Sequence, residues 1–243
     1  MRKLFFIILF FTMACSKAPF DWMIEEGKQT SETRLLQHFY ALHINDIFEV
    51  TLVNDTNFYV TVHCGENILP FIKTEVAAGV LTIDNTIKGR WARPYHRPGI
   101  ILHGSSLSEI RINEASTVAS ADSLCFESLF LHTNTDLVSV NLCLKGHFFD
   151  FANRYTTSGR CVFSGEVKQA KLFSGGTTQV DASSLKTDSA IVFHNSVAAM
   201  HVWVEKQITE LRNFKHAPLF IKGKPFVHFY TPADSLQVFF VEN

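Results

Sequence analysis

The sequence is poor in the features that announce chemistry. It has no C-x-x-C pair, which removes the usual basis for a zinc or thioredoxin-like site. It has no G-x-S-x-G, no H-E-x-x-H and no phosphate-cradling glycine loop. Basic residues form no long run and the formal net charge is −1, which argues against a nucleic-acid surface. Proline is scarce, at 7 of 243 residues, and charged residues make up only 19%, so the composition is not that of a disordered chain. No apolar run reaches the roughly 20 residues of a membrane-spanning helix.

Apolar residues, by contrast, make up 47% of the chain, and phenylalanine alone occurs 23 times. The first apolar run is a targeting signal. Arg2 and Lys3 precede the run Leu4–Phe11, and Thr12-Met13-Ala14-Cys15 closes it. A small residue directly before a cysteine resembles the lipobox of bacterial lipoproteins. Residues 1–14 are therefore expected to be a signal peptide, with Cys15 lipidated and anchoring the chain to a membrane. Residues 15–33, polar and irregular, read as a tether, and residues 34–243 as one domain. Four further cysteines, Cys64, Cys125, Cys143 and Cys161, are expected as buried free thiols, one disulfide remaining open. The equal spacing of 125, 143 and 161 suggests that these three stack.

The middle of the chain repeats. Ile112, Leu131, Phe151, Leu172, Phe193 and Asn213 follow one another at steps of 19, 20, 21, 21 and 20 residues. Each has an apolar residue two places before it, the period of a strand with one buried face. Polar residues or glycine follow, including Thr133, Asn153, Ser174 and Asn195, and these read as corners. A second apolar set comes next: Val118, Val140, Val180, Met200 and Leu219. Short strands and corners at a constant period near twenty predict a solenoid of stacked coils. At about 4.8 Å per coil, six coils make a rod on the order of 30 Å long. A β-sandwich, with turns every 8–12 residues, would not keep anchors and corners in the same order five times.

Before the repeat, two alternating segments around Phe48–Leu52 and Phe58–His63 read as strands, with Asn54–Asn57 as a turn between them. A short helical turn and a strand after Gly79 follow. The stretch Arg34–Ile83 is similar to the opening of the family named putative auto-transporter adhesin, head GIN domain, found in Bacteroidetes envelopes. Phe48, Val50, Leu52, Val60, Val62, Glu66, Asn67, Thr74, Val76, Gly79, Leu81 and Ile83 carry the resemblance, and Phe173-Ser174-Gly175-Gly176 keeps the family's Ser-Gly corner. It implies an all-β, right-handed parallel β-helix-like solenoid with coils of about 20 residues, in an exported protein; with the lipobox and the missing catalytic motifs, a non-enzymatic outer-membrane lipoprotein is expected. Such a protein faces the outside or the periplasm.

Candidate sites are few. His132 and His194 fall at the same offset from their anchors but about 14 Å apart, too far to share a metal, and read as solvated or hydrogen-bonded. No cofactor or metal is expected. Asp136, Asp150, Asp181 and Asp188 fall at different offsets, so the clustered carboxylates of a polysaccharide-cleaving β-helix are not indicated. The loop Gly89–Gly99 combines Arg90, Trp91, Arg93, Tyr95 and Arg97, a cation-and-aromatic group suited to an anionic or glycan ligand. The alternative is a loop that closes one end of the solenoid. The apolar C-terminal stretch from Phe226 is expected to cover an open end or edge. The expected function is a lipid-anchored envelope protein that binds a glycan or protein along a side of the rod. The alternatives are a periplasm-facing accessory lipoprotein and, behind it, a carbohydrate-active enzyme.

Overall fold

The structure is a computed structural model that describes residues 24–87, 96–153 and 158–241. It is 68% strand and 3% helix, wound as a β-solenoid of about six turns. Five long, bent strands form its body: β9 (Thr117–Thr133), β10 (Val138–Asn153), β11 (Gly159–Gly176), β12 (Gln179–Ser196) and β13 (Met200–Asn213), each parallel to the next. Each crosses one wall, bends, and returns along the opposite wall. Register shifts at the bend, such as that between Asn141 and Cys143, insert extra residues there.

Parallel pairing puts equivalent residues in columns through the interior. One column runs Leu81, Leu42, Ile110, Leu131, Phe151, Leu172, Val192 and Leu211, all buried. On the opposite wall, Val62, Ile100, Val50, Val118, Val140, Cys161, Val180, Met200 and Leu219 form another. The predicted period holds, but Ile112, Phe193 and Asn213 are not members of the anchor column. Ile110, Val192 and Leu211 take their places, because the strand registers differ by one or two residues from the counted repeat. Size is matched between coils. Phe149 stacks on Ala170 and then Ala190, and the volume those alanines leave is filled from across the core by Phe163, whose ring lies 5.0 Å from that of Phe149 and 5.1 Å from that of Phe151.

The winding is out of order at the N-terminal end. Strands β2 (Ala41–Ile44) and β3 (Glu49–Asn54) make one coil; β6 (Val80–Asn85) and β7 (Gly99–Gly104) make another. The earlier coil lies inside the later one. β2 pairs with both β6 and β8 (Glu109–Ile112), and β3 with both β7 and β9. Antiparallel strands close this end: β5 (Ile72–Ala77) on β6, β4 (Tyr59–Gly65) on β7, and β1 (Gln29–Leu35) on β4. Residues 29–33, read as tether, thus belong to the sheet. They lack apolar alternation and are held by backbone pairing and by polar contacts such as Thr33 Oγ1 to Thr61 Oγ1 at 3.0 Å. At the other end, β14 (Leu219–Lys222) and β15 (Phe226–Phe229) pair with β13 as the last full coil, and β16 (Val238–Val241) lies on β14, so the C-terminal stretch completes that coil and, through β16, covers the edge of β14.

Two places on from the anchor column the chemistry changes. Ile83, Ile44 and Ile112 are followed coil by coil by Thr133, Asn153, Ser174, His194 and Asn213, all fully buried. Residues expected at solvent-facing corners, Thr133, Asn153 and Ser174, therefore line the interior. Several bond the backbone of the corner that follows. Ser174 Oγ donates to the Thr178 carbonyl at 3.3 Å, and Asn213 Nδ2 donates to the carbonyls of Ala217 and Leu236 at 3.0 and 2.9 Å. Corner carbonyls that turn inward need such partners.

His194 departs from its expected state. It lies in this interior column, its ring nitrogens without a hydrogen-bond partner, while His132 stands in a neighbouring column beside Ala152. Burial pushes its pKa down to about 4; the Pro218 carbonyl favours the charged form but lies outside bonding geometry, and burial wins. Among the described residues the four cysteines are free, as expected, but only Cys64 and Cys161 are buried, and Cys125 is exposed. Cys143 pairs in register with Ser123 and not with Cys125, so the three evenly spaced cysteines do not stack.

Two tests follow from this interior. A histidine whose folded pKa lies below its unfolded one stabilises the fold fully above about pH 6.5, and that stability is lost as pH falls toward 4. Urea unfolding at pH 7 and pH 4.5 should differ by roughly 2 to 3 kcal/mol from this group, and His194→Gln should remove that difference. Burial also raises the Cys64 and Cys161 thiols to about 11 and about 12. Mass spectrometry after maleimide treatment should show Cys125 modified first, with Cys64 and Cys161 modified only on unfolding.

Candidate functional site

The loop singled out in the sequence lies along the chain between β6 and β7, the two strands of the end coil. Arg90, Trp91, Arg93 and Tyr95 lie outside the described residues, as does Cys15. Arg97 is exposed at the loop's far end, beside His96, whose Nδ1 lies 2.9 Å from Glu26 Oε2. Burial alone would raise the Glu26 carboxyl; bonds from His96 and Gln29 more than offset it and hold it below its usual value. The loop end is thereby tied to the sealed end of the rod.

The dispersed carboxylates stay dispersed. Asp150 pairs with Lys171 at 3.4 Å, Asp188 with Lys206 at 2.8 Å, and Asp181 accepts from Ser183 at 2.6 Å. Asp136 accepts from the Ser158 backbone at 3.1 Å. The Lys206 bond and charge hold Asp188 below the usual carboxylate range. Among the described residues no three His, Cys, Asp or Glu side chains are grouped to hold a metal.

A different side of the rod brings polar groups together. At the bend of each coil one outward residue stacks on the next: Cys125, Lys145, Glu166, Lys186, Trp203 and Lys222. They follow one another at about 4.8 Å per coil. Lys222 Nζ lies 3.7 Å from the centre of the Trp203 ring and Lys186 Nζ 6.0 Å from it. The indole Nε1 donates to Glu205 Oε1 at 2.8 Å, which fixes the ring plane. Lys168 stands two residues on from Glu166. Among the described residues no carboxylate forms an ion pair with Lys145, Lys168, Lys186 or Lys222. An open groove of about 520 Å³ runs along the start of this ladder, where Lys145 and Lys168 share the lining with Glu127, Glu166, Cys125 and Phe126. A separate apolar slot of about 10 Å³ lies between Phe39, Leu52, Leu102, Leu124 and Leu129, and shares Ser106, Cys125 and Phe126 with the groove.

Sequence reasoning missed this ladder. The bend absorbs a variable number of residues, so the lysines do not keep one spacing. β13 cuts the bend short, passing from Val202 beside Ala182 directly to Trp203 beside Lys186. The available signal was the coil-length separation of Lys145 from Glu166 and of Glu166 from Lys186. What the assembled side can do chemically is bind anions by charge and a planar or sugar ring by stacking.

No helix among the described residues is long and apolar enough to cross a membrane. The whole fold resembles solved structures. A "putative adhesin" from Bacteroides fragilis superimposes with a TM-score of 0.69 at 14% identity, covering 89% of this chain and 94% of that one. Another from Parabacteroides merdae gives 0.61 at 11% identity, over 89% and 95%. A "putative lipid binding protein" from Parabacteroides distasonis gives 0.57 at 14% identity, over 89% and 96%. At these identities the likeness establishes the fold. No curated protein matches the chain in sequence. A family model, however, matches residues 38–212, well over half of the chain, and this protein belongs to the family described as "Putative auto-transporter adhesin, head GIN domain".

Proposed function

We propose that this chain is a non-enzymatic, exported lipoprotein, anchored at Cys15, that binds an acidic macromolecule along the bend side of its solenoid. A glycan is the ligand its chemistry fits best. One observation carries the reading: the register stacks Lys145, Lys186 and Lys222 around Glu166 and Trp203, so that ammonium groups and an indole recur along one line. A linear polyanion meets several of these groups at once, and each contact adds to the next without new folding cost. The family's name as an adhesin supports a binding role. The lipid-binding label of one structural neighbour points elsewhere, but the apolar slot has room for about one water molecule. An acyl chain is therefore not the ligand proposed here.

A periplasm-facing accessory role is the second reading. The residues after Cys15 (Ser16, Lys17, Ala18 and Pro19) lack an acidic run, which is the observation in its favour.

Binding is tested on beads carrying polygalacturonate, with neutral dextran as control. The chain should be retained on the acidic polymer, and less so at 0.5 M salt. Lys186→Glu with Lys222→Glu should weaken retention at least tenfold, and Trp203→Ala by a smaller factor. Equal retention on dextran, or retention unaffected by the double variant, would sink the reading. Display is tested by protease treatment of intact and lysed cells. Digestion on intact cells is expected; protection until lysis would transfer the protein to the periplasmic role.

A further inference from the structure

The two ends of the rod are built differently. At the N-terminal end the outermost strands are β1, laid antiparallel on β4 with Glu32 and Arg34 among its seven mostly polar residues, and β5, laid antiparallel on β6 and carrying Lys73 and Glu75. Charged side chains on an edge strand oppose pairing with another sheet. At the C-terminal end the outermost strands are β15 and β16, each paired on one side only among the described residues, with β13 and β14 respectively. The sequence of β16 is Val-Phe-Phe-Val, with neither charge nor proline to guard its free edge.

Apolar exposure is concentrated there. Twelve large hydrophobic side chains are exposed among the described residues, and six of them lie between 226 and 241: Phe226, Tyr230, Leu236, Phe239, Phe240 and Val241. Their exposure runs from 44% to 74%. The cause is position in the fold. Phe240 continues an inward column through Ile221 and Val202, and among the described residues no further strand pairs beyond it. Phe239 continues an outward stack in which the rings of His201 and Phe220 lie 4.6 Å apart and those of Phe220 and Phe239 5.3 Å apart.

We propose that two copies of this chain join end to end through their C-terminal coils, β16 pairing antiparallel with β16 of the second copy. Three features select a second copy as the occupant. The guarded N-terminal edge does not suit a head-to-tail stack, so the open end is left to meet another open end. A two-fold axis brings an edge onto itself, which a charged edge resists and this uncharged one does not. The area also suffices. Large apolar side chains present roughly 150 to 250 Å² each, so six at about half exposure give on the order of 500 Å² per copy. Two copies bury about 1,000 Å², the lower bound of a specific interface, before the backbone edges are counted.

The axis fixes which residues meet. A two-fold normal to the sheet sets Phe239 opposite Phe239, or Phe240 opposite Phe240, of the second copy. Opposed residues in an antiparallel pair have Cα atoms about 4.5 or 5.5 Å apart, within the range of a disulfide. The test uses the full chain in its own cells, with Cys125→Ser as background and Phe239→Cys or Phe240→Cys added singly. After mild oxidation, one of these two should run at twice the chain's mass on a non-reducing gel, while Glu32→Cys at the guarded edge should not. In parallel, native mass spectrometry of the wild-type protein in detergent should give two chains per particle, and Phe240→Lys one. A monomer throughout, equal cross-linking at Glu32→Cys, or a product containing a different protein would each overturn the proposal. A Phe239→Cys thiol that is shielded from maleimide while the chain stays monomeric would overturn it too, and would assign the end to a segment of the same chain.

Discussion

Everything in this molecule depends on the parallel hydrogen-bonded register between successive coils. Parallel pairing forces each residue to sit on its equivalent one coil away, at about 4.8 Å. The interior therefore grows as columns, and a column tolerates only what its neighbours allow. Phe149 is possible because Ala170 and Ala190 stand beyond it and Phe163 fills their missing volume from the other wall. Gly165 shows the same constraint at the backbone. It lies in register with Leu144 at a φ of +101°, and a Cβ there would meet the Leu144 carbonyl oxygen at 2.1 Å. The outer ladder of lysines and Trp203 is the same rule seen from outside.

How much of this was legible depended on whether a position is defined by period or by deviation from it. The coil length and the alternating apolar residues on both walls were in the sequence because each repeats five times or more, and the family resemblance because Arg34–Ile83 carries it in one continuous stretch. The exact members of the anchor column were not. Val192 and Phe193 are both apolar, and only the register of β12 on β11, which sets Val192 beside Leu172, decides which one faces in. The polar interior column was misread for a physical reason. Thr133, Asn153 and Ser174 have corner chemistry, and they do serve corners, but from inside, by bonding carbonyls that the turn directs inward. A polar residue beside a corner looks the same in sequence whether it faces water or replaces it.

The candidate site divides along the same line. The loop around Trp91 stood out because its aromatic and basic residues are adjacent in sequence. Lys186, Trp203 and Lys222 are separated by nearly whole coils and become neighbours only through the register. Chemistry dispersed at the coil period is invisible to a search for local motifs. It is also cheap for a solenoid to change, since an outward position on one coil has no packing partner inside the core.

The crossed winding at the N-terminal end bears on the order of assembly. A chain made from its N-terminus offers β2 and β3 as its first coil, yet that coil is flanked on one side by β6 and β7 and on the other by β8 and β9. The second layer of the rod is thus synthesised before the first, and it waits with both edges open for partners that arrive about 40 and 70 residues later. Nucleation cannot simply begin at one tip and zip to the other. It has to gather nearly half of the polypeptide before the end is sealed, which ties the solubility of the nascent chain to how quickly β6 and β7 reach it.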